Sequence, residues 1–413
     1  MLRLSTYAEV DEALRSPLLE QASHPRAELL GGSTRVDFPL KGSLQSLDGQ
    51  EHLDRRRAYA ALFRRAALAG YEQDHLIPAL QSRLAALRTA TSTSEIEADI
   101  VPLMRSAALA VTATIIGLDG TDDASREQAL LDISERLSEG GGVYWLTGDH
   151  ERVTTAAVEA REHFMADFGQ PALDKRRRAM EAMAHQEPPS NSSNDIISMV
   201  LGGAAGIDVM RGLDVVNELT FFVVASFNTP TKLVPHVVVE LDAWAHTHPN
   251  ERHLLGDPVF VYPATQEALR LHVAAPILLR KPAATLTLRS GVTLEQGSIV
   301  ALDLGAANRD PEAFGTNSDR FEPGRHHASG VPAYGLAFGS GQHKCIGAPL
   351  TISPEAPKDA GSAVGIMVRL LLEFEAAGMR LDPSNPPRRR TDTIRDEYAT
   401  CPVIFDRLSV GVN

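Results

Sequence analysis

Cys345 is the residue whose setting most clearly suggests chemistry. It stands in the glycine-rich segment 338–350, FGSGQHKCIGAPL, which reads as a loop leading into a helix. Gly339 and Gly341 permit backbone angles that other residues adopt only under strain. The unpaired amides and the dipole at a helix start stabilise a thiolate placed there. Such a thiolate can serve as a soft axial ligand to haem iron.

Two other pairs have spacings that place both members on one helix face. His52 and Arg56 lie four residues apart, and Glu267 and Arg270 lie three apart. The first pair could bind an anionic group, although a solvated basic helix start has the same pattern. The second pair is within reach of an ion pair. Each pattern alone also occurs by chance, so its value depends on its place in the chain.

A third candidate lies in the longest helical pattern, residues 212–246, where Ala225-Ser226-Phe227-Asn228-Thr229 precedes Pro230. Pro230 has no amide hydrogen and its ring clashes with the carbonyl of Ser226, which predicts a kink and an unpaired carbonyl. The hydroxyl of Thr229 can donate a hydrogen bond. Asn228 can orient water but cannot pass on a proton as a carboxylate does.

Composition limits the function classes. The chain has 413 residues, a hydrophobic fraction of 43% and a charged fraction of 23%, as in ordinary globular proteins. Its apolar stretches are too short to cross a bilayer, and its N-terminus lacks the apolar core of a secretory signal. Two cysteines cannot build a disulfide framework, so we expect a cytoplasmic protein. The net charge of −13 argues against a nucleic-acid partner.

Periodicity predicts a mainly helical chain. Residues 1–24 and 74–185 read as helical, and short strands are predicted at 283–288 and 299–304. Pro354 should break the helix that follows the cysteine loop, and a second helix is predicted from about Lys358 to Ala377.

These motifs resemble those of the cytochrome P-450 family. The haem-binding loop of that family, F-x-x-G-x-[HR]-x-C-x-G, is matched by Phe338, Gly341, His343, Cys345 and Gly347. The pairs His52/Arg56 and Glu267/Arg270 resemble its H-x-x-x-R and E-x-x-R motifs and come in the family's order. The resemblance implies one domain over residues 1–413, mainly α with small β-sheets and with a shortened N-terminal helix and strands. Haem b would be buried between the long distal helix and the cysteine loop.

The resemblance also implies roles for individual residues. Cys345 would ligate the iron, and His52, Arg56, Arg280 and His343 would bind the haem propionates. The other residues expected at the cofactor are Phe338, Gly339, Ala225 and Gly347. Arg325 would join Glu267 and Arg270 in a structural cluster. The residues expected to line the substrate pocket, beneath a covering loop at 25–49, are Phe222, Ala225, Ile277 and Leu278.

Residues 225–229 resemble the oxygen-activating A-G-x-[DE]-T motif, which makes Thr229, Asn228 and Ser226 the expected catalytic residues. The glycine and the acid of that motif are replaced here. Thr351–Pro357 also interrupts the A-R-x-E helix of the family. These departures keep two alternatives open. One is a haem enzyme of atypical chemistry, such as rearrangement, coupling or peroxide-driven oxidation, and the other is a non-catalytic helper.

The function implied is oxidation of a small organic molecule, hydroxylation or a similar reaction, in natural-product biosynthesis. The substrate could be carried by a carrier protein. Electrons would come from a ferredoxin and its reductase, and Arg64, Arg65 and Lys344 are candidates for a basic docking patch.

Overall fold

The computed structural model describes residues 1–22, 40, 42–90, 94–121, 123–183, 195–202, 214–359 and 361–408; of Met183 and Asn228 it describes the backbone. The chain divides into two compact units. The first comprises Met1–Pro25, Leu80–Met104 and Pro230–Asn413, and the second comprises Arg26–Ala79 and Arg105–Thr229. A single domain over residues 1–413 stays a prediction.

The described residues are mainly helical with small sheets, as predicted. In chain order the helices are α1 (Tyr7–Arg15), α2 (Gly49–Tyr59), α3 (Arg65–Gly70), α4 (Ile77–Ala90), α5 (Ile100–Ile116), α6 (Ala124–Gly141), α7 (His150–Phe164), α8 (Gln170–Met183), α9 (Ile196–Val200), α10 (Val215–Thr247), α11 (Pro258–Leu271), α12 (Leu304–Ala307), α13 (Pro311–Phe314), α14 (Ala348–Thr351) and α15 (Ile366–Ala376). The strands are β1 (Leu2–Leu4), β2 (Leu19–Gln21), β3 (Ile96–Asp99), β4 (Ile277–Pro282), β5 (Leu286–Thr287), β6 (Thr293–Leu294), β7 (Val300–Asp303), β8 (Met379–Leu381), β9 (Arg388–Arg389), β10 (Tyr398–Thr400) and β11 (Pro402–Phe405).

The N-terminal segment corrects the prediction of one helix over residues 1–24. Within the described residues 1–22, only Tyr7–Arg15 is helical, and the Thr6 side chain caps this helix by accepting from the Glu9 amide. The residues on either side of this helix are strands, β1 and β2, and each pairs with a strand far along the chain. β1 runs parallel to β7, and β2 runs antiparallel to β4, in a four-stranded sheet of order β1-β7-β4-β2. The apolar face of α1 packs on this sheet, with Val10 and Leu302 fully buried.

The predicted helical stretches are confirmed within the described residues. α4 to α8 occupy most of the range 74–185, and α10 covers nearly all of 212–246. Both Pro230 and Pro235 lie inside α10, which continues through them over 33 residues. This helix is largely apolar and buried, so packing on its flanks offsets the lost backbone hydrogen bonds.

Strand structure begins earlier than the sequence predicted. β4 covers Ile277–Pro282, and only Leu286–Thr287 of the predicted strand 283–288 is extended. β4 pairs antiparallel with β7, which agrees with the strand predicted at 299–304. The turn between β5 and β6 contains Gly291 at φ +90°, a backbone conformation that favours glycine.

The segment after the cysteine loop folds differently from the prediction. α14 ends at Thr351, before Pro354, as expected, but the next helix starts at Ile366 rather than near Lys358. The amide of Ser353 donates to the carbonyl of Val364 at 3.0 Å, which closes the base of a loop. Gly365 has φ +91°, and a Cβ there would lie 2.6 Å from the Ile352 Cα. This close backbone contact fixes where the helix can begin.

One predicted segment lies largely outside the described residues. Of the substrate-covering segment 25–49, residues 25–39 and 41 are not described. The remaining part includes a short 3₁₀ turn at Leu44–Ser46, and Ser43 and Leu44 are buried.

Candidate functional site

The loop that carries Cys345 is held by its own backbone. The amide of Gly339 donates to the Leu336 carbonyl and the amide of Cys345 donates to the Phe338 carbonyl, each at 2.8 Å. A 3₁₀ turn at Gly341–His343 lies between these bonds. Phe338 is buried and packs edge-on against Tyr334, with ring centroids 5.0 Å apart. Cys345 itself is exposed. The loop therefore presents its thiol outward from a fixed hairpin.

Gly341 is the position where this loop requires glycine. Its φ is +67°, and a Cβ there would lie 2.4 Å from the carbonyl oxygen of Leu14. Leu14 is in the last turn of α1. Any side chain at this position would push the cysteine loop away from α1.

The helix after the cysteine is shorter than expected. α14 has four residues, Ala348–Thr351, and Gly347 stands at its N-cap. A macrodipole needs several aligned turns, so this helix supplies little field. Stabilisation of the thiolate by the amides at this helix start stays a prediction. Gly347 leaves room beside the sulfur, because a Cβ there would be 3.9 Å from Sγ.

Asn308 connects the cysteine loop to α11, a role that the sequence did not reveal. Its amide nitrogen donates to the Arg270 carbonyl at 2.9 Å, and its amide oxygen accepts from the Leu336 amide at 2.7 Å. Asn308 is fully buried. The loop that ends at Cys345 is thus tied to the last turn of α11.

Glu267, Arg270 and Arg325 form a buried ionic cluster, which we call the α11 cluster. Arg270 donates two hydrogen bonds to the Glu267 carboxylate, both at 2.7 Å, and Arg325 Nε donates to Glu267 Oε1 at 2.8 Å. Arg270 also donates to backbone carbonyls, including that of Ser318 at 2.6 Å. Its guanidinium lies 4.8 Å from the centroid of the Phe314 ring. These contacts hold the segment before the cysteine loop against α11.

Arg280 and His343 are brought together through a residue that the sequence did not single out. Arg280 in β4 is buried, and its neighbour across the sheet in β2 is Gln21. The Gln21 side-chain amide contacts His343 Nδ1 at 3.1 Å. Arg280 Nη1 donates to the carbonyl of Leu279 at 2.9 Å. The propionate-binding role of both residues stays a prediction.

In the second unit, α2 carries His52 and Arg56. His52 is buried, Arg56 is half-buried, and Arg55 between them is buried as well. Arg55 Nη1 lies 3.7 Å from the carboxylate of Glu218 in α10, and Glu218 also accepts from the Leu44 amide at 3.0 Å. Burial raises the pKa of Glu218. This ion pair anchors the predicted propionate-binding helix to α10.

The expected catalytic hydroxyls on α10 bond to their own helix. Ser226 Oγ donates to the Phe222 carbonyl, and Thr229 Oγ1 donates to the Ala225 carbonyl at 3.2 Å. The side chain of Asn228 lies outside the described residues. A hydroxyl inside a helix commonly donates to the backbone carbonyl four residues earlier, as Ser226 does to Phe222.

The expected pocket residues differ in exposure. Phe222 is buried and packs edge-on against Tyr59 at 5.0 Å, whereas Ala225 is exposed. Ile277 and Leu278 in β4 are half-buried. Their role as pocket lining stays a prediction.

The candidate docking residues differ in their exposure to solvent. Arg64 and Arg65 are exposed in the second unit. Lys344 is half-buried, and its Nζ contacts the Tyr334 hydroxyl at 3.0 Å.

Cys401 is buried in the first unit, as predicted, and burial raises the pKa of its thiol to about 12.

Each unit has features that suit a haem with a thiolate ligand. In the first unit Cys345 is exposed although Phe338 and Ala348 nearby are buried, and Gly347 leaves space beside the sulfur. In the second unit Ala225 is an exposed small residue in a helix whose flanking Phe222 and Phe227 are buried. An exposed thiol is what a thiolate-ligated cofactor requires, so the cysteine loop fits this group.

Comparison with known proteins shows what the chain is similar to. The cytochrome P450 family model matches residues 261–353, which include the α11 cluster residues Glu267 and Arg270 and the cysteine loop. The putative cytochrome P450 123 of Mycobacterium tuberculosis (strain H37Rv) is 28% identical over 255 residues, 61% of this chain and 58% of that protein. The match thus spans less than two thirds of the relative. The pulcherriminic acid synthase of Bacillus subtilis (strain 168) is 26% identical over 329 residues, 76% of this chain and 72% of that protein.

Solved structures show the same fold. The structure of P450BioI in complex with hexadec-9Z-enoic acid ligated acyl carrier protein matches with a TM-score of 0.69 and 20% identity. The match covers 98% of this chain and 92% of the other. The chain therefore has the mainly helical fold of that structure. The cytochrome P450 family model thus covers the segment that carries Glu267, Arg270 and Cys345, and that family implies a haem-thiolate cofactor. Among the described helices, none is both long and apolar enough to cross a bilayer.

Proposed function

We propose that this protein is a haem-thiolate monooxygenase that oxidises a small organic molecule. The observation that carries the proposal is the exposed thiol of Cys345 on a loop fixed by the Phe338 carbonyl and by Gly341. The match of residues 261–353 to the cytochrome P450 family model supports the same function. The protein would act in the cytoplasm.

The residues would divide the work as follows. Haem, when bound, supplies the activation of dioxygen with two electrons and two protons. Cys345 Sγ would hold the iron. The residues that would bind the two propionates by charge-assisted hydrogen bonds are His52, Arg56, Arg280 and His343. Phe338, Gly339 and Gly347 would shape the surface around the sulfur.

The long helix would supply the polar groups on the other face of the cofactor. The hydroxyl of Thr229, which donates to the Ala225 carbonyl at 3.2 Å, would rotate to donate toward the reaction site. Ser226 and Asn228 would orient water, since neither is a carboxylate that exchanges protons near neutral pH. Exposed Ala225 would leave room for the substrate, beside Phe222, Ile277 and Leu278.

The substrate would be a natural-product intermediate, free or bound to a carrier protein. Two comparisons support this class. One relative is a pulcherriminic acid synthase, and one solved structure of the same fold contains an acyl carrier protein. A ferredoxin would deliver the electrons, with exposed Arg64 and Arg65 as candidates for its docking.

The reduced, carbon-monoxide-bound absorption spectrum tests the proposal. We expect the strongly red-shifted Soret band that reports thiolate ligation. Cys345→Ser should abolish it, and Cys401→Ser, the matched control at the buried cysteine, should keep it. A red-shifted band that survives Cys345→Ser would contradict the proposal. Protein that cannot be reconstituted with haem would instead favour a non-catalytic helper.

A second candidate is a haem enzyme of atypical chemistry, driven by peroxide or catalysing rearrangement or coupling. The observation that favours it is the combination of Asn228 in place of an acid with Pro230 inside α10. Product formation with NADPH, ferredoxin and reductase, compared with peroxide alone, separates the two. Strict dependence on the redox chain rules the second candidate out.

A further inference from the structure

His236, His272 and Asp396 lie close together in the first unit, although they come from three separate segments. His236 is on α10, His272 is the C-cap of α11, and Asp396 stands two residues before β10. One ligand atom from each residue lies within 4.8 Å of the others. Their side chains are 2%, 13% and 56% exposed, respectively. In this histidine–aspartate site, two mostly buried imidazoles thus meet a carboxylate that solvent reaches.

One nitrogen of each imidazole is oriented by a hydrogen-bond acceptor. The carbonyl of Asp396 accepts from His236 Nε2 at 2.9 Å, and the carboxylate of Glu240 accepts from His272 Nε2 at 2.8 Å. These oxygens cannot donate, so each Nε2 carries a hydrogen and the lone pair of a neutral ring is on Nδ1. Both Nδ1 atoms lie near Asp396 Oδ2, at 3.9 Å from His236 and 3.7 Å from His272. Metal-binding histidines are typically oriented in this way, through the nitrogen that does not bind the ion.

The separations in this site are close to those around one metal ion. Two ligands of a tetrahedral Zn²⁺ with bonds of about 2.0–2.2 Å are about 3.4 Å apart. The distances of 3.7 and 3.9 Å to Asp396 Oδ2 are slightly longer than this. The rings of His236 and His272 stack with centroids 4.1 Å apart and reach Asp396 side by side. Small rotations of the exposed Asp396 side chain and the two rings would therefore bring the three ligand atoms onto one ion.

A cationic side chain already contacts this site. Arg389 Nη1 donates to Asp396 Oδ1 and lies 3.4 Å from His236 Nδ1. The Arg389 guanidinium stacks on the ring of Tyr398, 4.0 Å from its centroid, and the side chain is 44% exposed. The guanidinium can therefore move toward solvent, and a metal ion would take over its contacts with the carboxylate and the imidazole.

We propose that the histidine–aspartate site binds a divalent transition-metal ion such as Zn²⁺. Two imidazole nitrogens and one carboxylate oxygen are ligands that Zn²⁺ takes, whereas Mg²⁺ and Ca²⁺ prefer oxygen ligands alone. Three protein ligands leave a fourth position for water. The ion would connect the first-unit part of α10 with the end of α11 and with the segment before β10.

Calorimetric titration of the tag-free holoprotein, freed of trace metals, with zinc chloride tests the proposal. We expect about one equivalent of Zn²⁺ to bind and to stay bound in about a hundredfold excess of Mg²⁺. His236→Gln, His272→Gln and Asp396→Ala should each remove that equivalent. Circular dichroism shows whether each variant is folded. Asp396→Ala, at the exposed ligand, decides the outcome where a buried histidine does not tolerate substitution.

Three further variants show whether binding depends on the geometry of this site. Glu240→Gln keeps the size of the side chain but weakens the acceptor for His272 Nε2, so the affinity for Zn²⁺ should fall about tenfold. Arg389→Met removes the competing cation, so the affinity should rise at least about threefold. His246→Gln, at an exposed histidine of α10 that pairs with Asp242, is the matched control and should leave the affinity unchanged.

Absence of Zn²⁺ binding, or a bound equivalent that survives Asp396→Ala, would overturn the proposal. A loss of affinity in His246→Gln as large as in the three ligand variants would overturn it as well. Calorimetry does not depend on turnover. The carbon-monoxide spectrum of the same sample therefore shows separately whether the haem-thiolate function fails.

Discussion

The α11 cluster and the cluster of Lys232, Arg395 and Glu397, which we call the α10 cluster, each combine two cations with one glutamate but differ in their surroundings. In each, two cations share one oxygen of a buried glutamate: Arg270 and Arg325 on Glu267 Oε1, and Lys232 and Arg395 on Glu397 Oε1. The extra positive charge of the α11 cluster is spread over backbone carbonyls of the segment before the cysteine loop. In the α10 cluster, the side chains of Lys232 and Arg395 are 17% and 14% exposed. A cluster whose charges are almost fully buried should contribute more to stability than one whose cations contact solvent.

The largest expected difference between the clusters is in stability. Glu267→Gln leaves two buried guanidinium groups without their carboxylate, so we expect a loss of about 3–5 kcal/mol in the free energy of unfolding. Glu397→Gln should cost only about 1–2 kcal/mol, because Lys232 can lose its proton and Arg395 is partly solvated. Urea denaturation of the two variants measures both values. Equal losses would show that the two clusters do not differ in this respect.

A smaller loss of stability is expected when the hydrogen bond from Asn308 to the backbone of α11 is removed. Asn308→Asp keeps the shape of the side chain but replaces the amide donor to the Arg270 carbonyl with an oxygen. The resulting repulsion in a buried site should cost about 2–3 kcal/mol. Asn385→Asp, at an exposed asparagine, is the control and should change the urea midpoint little. An equally small effect at Asn308 would mean that this amide does not tie the cysteine loop to α11.

The smallest expected effect is on the pH dependence of stability, through His236 and His272. His236 on α10 stacks on His272 with ring centroids 4.1 Å apart. Burial, followed by repulsion from His272, lowers the pKa of His236 to about 3. Burial alone would lower the pKa of His272, but hydrogen bonds to Asp396 and Glu240 outweigh it and raise that pKa.

The two pKa shifts have opposite effects on the stability of the fold at low pH. The unfolded chain protonates His236 below about pH 6.5 while the folded protein does not, so this group's stabilisation is present above that pH and is lost on acidification. His272 acts in the opposite sense and stabilises the fold at low pH. His236→Gln should therefore reduce the stability lost between pH 7.5 and 5 by about 1–2 kcal/mol, measured by urea denaturation at each pH. An unchanged pH dependence would contradict this assignment.

Local patterns predicted much of the candidate site. The cysteine loop is a contiguous motif, and Glu267 with Arg270 follows helical spacing, so both could be recognised without any tertiary contact. The sequence also indicated Arg325, whose bond to Glu267 spans 58 residues, but only through the family resemblance. The Asn308 bridge could not be predicted, because both of its partners are backbone groups that the fold brings close.

The sequence-based predictions missed elements whose structure depends on partners far along the chain. β1 and β2 have three residues each, too few for a period. They pair with strands about 300 and about 260 residues away, respectively. Lys232, His236 and Glu240 repeat every four residues in an apolar helix, which was a usable signal for a polar stripe. Their partners Asp396 and Glu397 lie about 160 residues further on, so the chemistry of the stripe required the structure.

The loop between Ser353 and Val364 has a practical consequence for handling the protein. Its base is closed by the bond of Ser353 to Val364, and Gly365 is wedged against Ile352, whereas residues 354–356 are exposed. Because the cost of closing a longer loop grows slowly with length, a peptide tag inserted after Glu355 would leave both anchors in place. Such a tag would mark the protein at an internal site and leave both chain ends unmodified.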